Sequence, residues 1–255
     1  MTPRVLPLAT LVLLAVVAAA AGAQNAVAGG GTFLTFPTLL FVGLPARLAN
    51  GTSTVGLWPA SLAGTLAFRG DLRHERRTLV LFGAVSLVGG LAGALLLLFT
   101  PERTFRGLVP WLLLVATLVF ALGPLVTRRL RARGLHAPFW LLVVAQLVVS
   151  VYGGYFGAGI GILMLAVLAL FGMEDIHAMN GLKNLLAALI NGVAVVTFIA
   201  FGLVEWPVAV AMIVGSVAGG YGGARVSKRI DARYLRAFII TVGAVLSAYY
   251  FAKGA

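Results

Sequence analysis

The chain has 255 residues, 61% of them hydrophobic and 10% charged, at a mean hydropathy of +1.05. A soluble domain carries about 25% charged residues, so a soluble globular protein is excluded and the long apolar runs read as transmembrane helices. The formal net charge of +12 sits on Arg and Lys in short loops with no aromatic platform beside them, which argues against a nucleic-acid partner and for the positive-inside bias of membrane loops; with no Cys, disulfides, thiolate metal sites and Cys nucleophiles are ruled out.

Residues 1–23 have the outline of a signal peptide: Arg4, an apolar run from Leu8 to Ala21, then Ala21-Gly22-Ala23. The stretch has a counterpart at 138–152, so it is read as a first membrane segment. Ala28-Gly29-Gly30-Gly31-Thr32 interrupts the apolar pattern, and about a dozen apolar residues follow, from Phe33 to Gly43. Further apolar runs fall at about 50–68, 78–99 and 107–127. The same device then recurs. Gly153, Gly154, Gly157, Gly159 and Gly161 interrupt the run from Val151 to Gly172, and each Gly inside a helix costs about 0.8–1.0 kcal/mol relative to Ala. The helix that restarts near Ile160 is roughly 18–20 Å long, too short for a hydrocarbon core of about 30 Å. Apolar runs at 182–201, 206–224 and 235–252 complete the chain.

Broken helices begin inside the membrane, where their first N–H groups lack intrahelical partners and carry positive partial charge. Such an end suits an anion, and irregular backbone at that depth needs protein or a wet cavity around it. Two stretches supply side chains beside the breaks. Asn180-Gly181-Leu182-Lys183-Asn184 places a cation in an apolar run, where it is expensive unless paired or solvated, with Asn191 on the same helix face. Asn50-Gly51-Thr52-Ser53-Thr54 offers neutral donors. Arg47 reads as an interfacial anchor.

An internal repeat appears when 28–98 is laid on 157–230. Gly30 meets Gly159, Gly43 meets Gly172, Asn50-Gly51 meets Asn180-Gly181, Gly83 meets Gly215 and Gly90 meets Gly222, with an offset that creeps from 129 to 132. The basic stretches Arg69–Arg77, Arg128–Arg133 and Arg225–Arg236 are assigned to the cytoplasmic side, and the Lys- and Arg-free loops 172–177 and 202–206 to the outside. The expected fold is therefore an all-α polytopic membrane protein of two inverted-topology repeats. Residues 1–130 carry the broken helix 5–43 and residues 131–255 the broken helix 138–172, and the half-helices meet near the midplane. Whether each broken segment is re-entrant or crosses once is open.

Enzyme chemistry finds no support. His74, His136 and His177 lie outside the apolar runs, His74-Glu75 lacks the second His of a zincin helix, and Gly157-Ala158-Gly159-Ile160-Gly161 has the wrong spacing for a dinucleotide loop. No metal site and no cofactor are expected. No intramembrane acid presents itself as a proton relay; Glu205 and His177 come nearest, and the coupling ion, H+ or Na+, stays open. Gly215, Gly219 and Gly223, like Gly89 and Gly93, have the small-xxx-small spacing of close helix contacts, within the chain or in a homodimer.

The pattern Gly29-Gly30-Gly31 … Pro37 … Gly43 … Asn50-Gly51-Thr52-Ser53, with its echo at Gly154 … Gly157-Ala158-Gly159-Ile160-Gly161 … Gly172 … Asn180-Gly181-Leu182-Lys183-Asn184, resembles the sulfite exporter TauE/SafE family over nearly the whole chain. The resemblance implies a multi-pass carrier of the bacterial inner membrane, associated with sulfite, sulfoacetate or other sulfur-containing organic anions. The expected partners are thus a small anionic substrate and membrane lipid. The expected substrate-binding set is Gly30, Gly31, Thr32, Asn50, Thr52, Ser53, Gly159, Gly161, Asn180, Lys183 and Asn184. A channel, an uptake permease for another sulfur anion, and a non-transporting scaffold are the alternatives.

Overall fold

A computed structural model describes residues 6–27, 30–67, 76–134, 137–173, 175–226 and 232–252. Arg4, Gly29, Arg69–Glu75 with His74, His136, Glu174 and Lys228–Asp231 lie outside the described residues, as do the side chains of Arg76, Arg77, His177, Gly223, Arg225, Arg233 and Arg236. The fold is all-helical, with no strand among the described residues. Its elements are α1 (Leu8–Val27), α2 (Thr32–Phe41), α3 (Ala46–Ala67), α4 (Arg76–Phe99), α5 (Glu102–Ala132), α6 (Phe139–Tyr155), α7 (Ile160–Leu170), α8 (Ile176–Ala200), α9 (Trp206–Val226) and α10 (Ala232–Ala252). Among the described residues four segments are long and apolar enough to span a membrane by length and composition: Leu8–Asn25, Leu79–Phe99, Glu102–Ala132 and Ala178–Ala200.

The two short helices stop for the same reason. After α2, Gly43 N–H donates to Leu40 O and Leu44 N–H to Leu39 O; after α7, Gly172 N–H donates to Ala169 O and Met173 N–H to Leu168 O. Both are Schellman turns, which need a left-handed residue, and Gly43 (φ +89°) and Gly172 (φ +87°) supply it. The glycine run after α6 divides its labour. Gly153 and Gly154 stay helical, and the break falls at 156–159, where Gly157 and Gly159 have φ near +80°. Gly154 serves packing instead, because a Cβ there would stand 2.1 Å from Gly90 O of α4.

Facing residues give the chain directions. Ala137 N–H donates to Leu170 O (3.1 Å), so the start of α6 lies beside the end of α7. The pair is a helical hairpin with its tip at 156–159. On the other side of the molecule, Thr35 of α2 meets Ser53 of α3 across the turn at 42–45, so α2 and α3 are antiparallel. Gly215 and Gly219 of α9 meet Ala15 and Ala19 of α1, while Gly56 meets Met212 and Gly220 meets Ala60. Both α1 and α3 therefore run parallel to α9, and α2 folds back along α1 as a second hairpin. Finally, Gly89 and Gly93 of α4 face Leu147 and Val151 of α6 in parallel, and Arg47 at the start of α3 donates to Leu98 O at the end of α4. Hence α1 and α6 point in opposite directions, and the two hairpins enter from opposite ends of the bundle.

This geometry corrects one assignment made from charge. The turn at 172–175 does not sit opposite the basic Arg128–Arg133 end of α5. It shares that end, because the hairpin returns to the side it left. The offset between halves needs less creep than the glycines suggest: it is 129 at Gly30–Gly159 and Gly43–Gly172 and stays at 130 from Asn50–Asn180 to Ser86–Ser216 and Gly89–Gly219.

The halves of the sequence do not pack as halves. α1 and α2 pack with α3 and α9; α6 and α7 pack with α8 and α4. α5 packs on α7 and α10 on α2, and α5 and α10 pack on each other. The α1–α9 and α4–α6 contacts bring backbones together: a Cβ on Gly219 would stand 1.9 Å from Ala19 O, and one on Gly93 2.0 Å from Val151 O. The small-residue faces that the sequence offers to a homodimer, as far as they are described, are thus filled from within the chain.

Candidate functional site

The two hairpin tips come together around Phe120 of α5. Its ring is buried, lies edge-on to Phe33 with centroids 5.3 Å apart, and separates Gly30 from Gly159. A Cβ on Gly30 would stand 2.2 Å from Phe120 Cζ, and one on Gly159 3.6 Å from the same ring. Both positions also have positive φ, +86° and +80°, so Gly is required twice over.

Between the tips lies a cavity of about 90 Å³, several times the ~10–15 Å³ that one water needs. Gly30 and Thr32 from the first tip and Gly159, Ile160 and Gly161 from the second line it. α3 and α8 form its flanks at matching positions of the 130-residue offset: Thr54 and Asn184, Leu57 and Ala187, Ser61 and Asn191. At 1.5 Å per residue, Thr54–Ser61 lie roughly 12–22 Å along α3 and Lys183–Asn191 roughly 10–22 Å along α8. The cavity therefore occupies the middle of both helices.

Lys183 is the one charged side chain among the described residues that line the cavity. It is half-buried, and its Nζ donates to Asn180 Oδ1 at 3.0 Å. Its stem lies against Gly161, where a Cβ would stand 3.3 Å from Lys183 Cδ. Gly161 thus clears the path along which the ammonium reaches the N-terminus of α7. There the first N–H groups of the helix and the cation face one space, an arrangement that favours an anion.

The remaining predicted residues are placed differently. Gly31 is buried and donates its N–H to Asn25 Oδ1 (2.8 Å), which ties the first tip to α1. Asn50 is buried and donates from Nδ2 to Tyr155 O (3.0 Å) at the end of α6. Thr52 Oγ1 accepts from Glu205 N–H (3.0 Å). Ser53 Oγ lies 2.6 Å from Thr35 Oγ1. None of Gly31, Asn50, Thr52 or Ser53 lines the cavity; each joins two segments around it. Asn180 stands one turn away and reaches the site through Lys183. Arg47 lies at the end of the bundle, its backbone N–H and that of Ala46 donating to the Glu102 carboxylate. Among the described residues no group of three or more His, Asp and Glu could hold a metal ion.

Sequence reasoning missed Asn25, Trp58 and Ser61, which also line the cavity. The repeat offset was the available signal, since Ser61 is the counterpart of Asn191, already picked out as an amide on one helix face with Asn180 and Asn184. Trp58 is fixed by a hydrogen bond from Nε1 to Ala188 O (3.1 Å) and by Gly192, where a Cβ would stand 3.2 Å from its Cζ2.

Comparison with known proteins places the chain among membrane transporters. The family model described as "Sulfite exporter TauE/SafE" matches residues 14–250. The "Probable membrane transporter protein YfcA" of Escherichia coli K12 is 31% identical over 91% of this chain and 86% of its own. The "Probable membrane transporter protein ORF9" of Sinorhizobium is 28% identical over 93% and 90%, and a "Probable membrane transporter protein" of Haemophilus influenzae 27% identical over 88% of each. No solved structure matches.

Proposed function

The chain belongs to the sulfite exporter TauE/SafE family, a family of membrane transporters rather than enzymes, and from that premise we propose that it is a secondary carrier exporting a small anion, sulfite or an organosulfonate such as sulfoacetate, across the bacterial inner membrane. The observation that carries the reading is Lys183. A cation at mid-depth, beside the N-terminus of a re-entrant helix and with no carboxylate among the described lining residues, is costly unless an anion or water answers it. The asparagine amides and the hydroxyls of Thr32, Thr54 and Ser61 then serve as neutral donors that orient the anion.

In this reading the two sequence halves are inverted repeats. The opposed hairpins and the exchange of packing partners between them support it. The ends of α3, α5 and α9 share one side, and the sequence after each carries the basic residues, so that side is cytoplasmic. Alternating access comes from the bundle of α1, α2, α3 and α9 moving against that of α4, α6, α7 and α8, with the cavity between α3 and α8. The backbone-close α1–α9 and α4–α6 pairs each join one half of the sequence to the other, which supports a moving boundary between these bundles rather than between the halves.

The test is flux of labelled sulfite and sulfoacetate into proteoliposomes holding the purified chain. Saturable uptake with counterflow supports a carrier. Non-saturating flux identifies a channel, and no flux of either anion with correctly inserted protein refutes the reading.

A further inference from the structure

The cavity has a symmetric frame and an asymmetric lining. Positions 54, 57 and 61 of α3 face positions 184, 187 and 191 of α8, so identical side chains would make a cavity with two equivalent ends. Two exchanges remove the equivalence. Ser53 on α3 stands where α8 has Lys183, and Leu57-Trp58 on α3 stands where α8 has Ala187-Ala188. Ser53 turns away to Thr35, which leaves one flank with the charge and the other with the bulk.

The bulk is rigid. The Trp58 indole is held by its bond to Ala188 O and backed by Gly192, so its ring cannot swing aside without losing a hydrogen bond in a low-dielectric setting. Ala60 and Leu57 continue the apolar surface beside it.

From this polarity we infer that Trp58 is the specificity-determining wall of the site: the anionic head of the substrate lies toward Lys183 and Asn184, and the indole limits the length of the apolar group behind it. The inference rests on the anion-carrier reading and adds to it a direction of binding and a size limit. The substrate class it selects is a singly headed anion with no tail or a short one. A bulky tail meets the indole, and a second charged group, such as the carboxylate of sulfoacetate, would lie against an apolar wall with no second cation among the described lining residues to answer it, so of the two anions proposed above the wall selects sulfite over sulfoacetate.

The test is calorimetric binding of sulfite and the linear alkanesulfonates from methanesulfonate to butanesulfonate to the purified full chain. In a hydrophobic pocket one methylene changes discrimination by about 10–200-fold. The wild type should therefore bind the short members and lose at least about tenfold at the tail length that reaches the indole. Trp58→Ala should move that limit outward, raising the long-to-short affinity ratio by about tenfold, and Trp58→Phe should restore the wild-type order. Gly192→Ala, which presses the indole from behind, should lower the ratio, and it decides the matter if Trp58→Ala does not fold. A merely structural role would lower thermal stability and leave the ratio unmoved. Equal weakening of every member by Trp58→Ala overturns the wall while leaving the carrier reading intact. A folded wild type that binds none of the series, sulfite included, overturns both. Lys183→Gln, the control for the head, should weaken all members by one factor.

Discussion

Lys183→Gln is the sharpest perturbation the structure offers. Glutamine is shorter than lysine but keeps an N–H donor for Asn180 Oδ1, to which Lys183 Nζ now donates at 3.0 Å, so the change removes chiefly the charge. A unit-charge pair about 4 Å apart at an effective dielectric of about 20 is worth ~4 kcal/mol. Water in the cavity and the surviving amide donors reduce that. The expected loss is about 2.7 kcal/mol, a hundredfold in anion affinity. Binding energy made equally in both access states raises KM more than it lowers kcat, so the assay is the concentration dependence of initial flux in proteoliposomes, normalised to inserted protein. Thermal stability should hold or rise, because a costly intramembrane cation is gone. A variant with KM within threefold of wild type would refute the charge argument, whatever the substrate.

Other consequences follow from packing. Gly219→Ala and Gly93→Ala each push a methyl into a backbone carbonyl, at 1.9 and 2.0 Å. Each should cost about 1–3 kcal/mol, seen as a lower unfolding temperature in detergent. Thr35→Val strands the buried Ser53 hydroxyl and should cost about 1–3 kcal/mol, and Ser53→Ala should cost less, because Thr35 Oγ1 keeps its bond to Gly31 O. The double variant should cost less than the two singles summed, and neither should shift the KM for anion, because Ser53 does not line the cavity. A cysteine pair at Gly83 and Leu189, where Gly83 has 3.5 Å of clearance to Leu189 Cδ1, joins α4 to α8 in a chain with no other Cys. Bridging it with a short thiol reagent should leave flux intact; a block would show that the sequence halves move against each other.

What the sequence disclosed, it disclosed through residues that are costly where they stand. Glycines at 30, 43, 159 and 172 in apolar runs announced the ends of two short helices, because a left-handed turn leaves few other choices. Lys183 announced the site because a cation in an apolar run demands an answer. Asn50, Thr52 and Ser53 looked equally chemical. Yet a buried polar group only needs a partner, and sequence cannot tell a partner in the protein from one in a ligand; Asn50 Nδ2, Thr52 and Ser53 meet Tyr155 O, Glu205 N–H and Thr35, while Asn50 Oδ1 meets no partner in the protein. The hairpin course of α6 and α7 was hidden as well, since a crossing and a hairpin have the same composition. It took the Ala137–Leu170 hydrogen bond to separate them. Trp58 gave no signal, because one aromatic among apolar neighbours is the ordinary content of a membrane helix.

The interlaced packing explains why the frame can be symmetric while the lining is not. Lipid supplies no hydrophobic drive between helices, so close backbone approach at small residues has to hold the bundle. Here those contacts are duplicated: α1 on α9 carries one hairpin and α4 on α6 carries the other. Each hairpin is anchored by a helix from the opposite half through small residues outside the cavity lining. Lining positions on α3 and α8 are thereby released from structural duty and can diverge. Leu57 and Ala187 differ at matched places while the matched glycines Gly89 and Gly219 keep their helix contacts, and Trp58 and Ala188 differ together with Gly192, which backs the indole. A change of substrate in such a scaffold asks for substitutions at 57, 58, 183 and 187 and leaves the α1–α9 and α4–α6 pairs as they are.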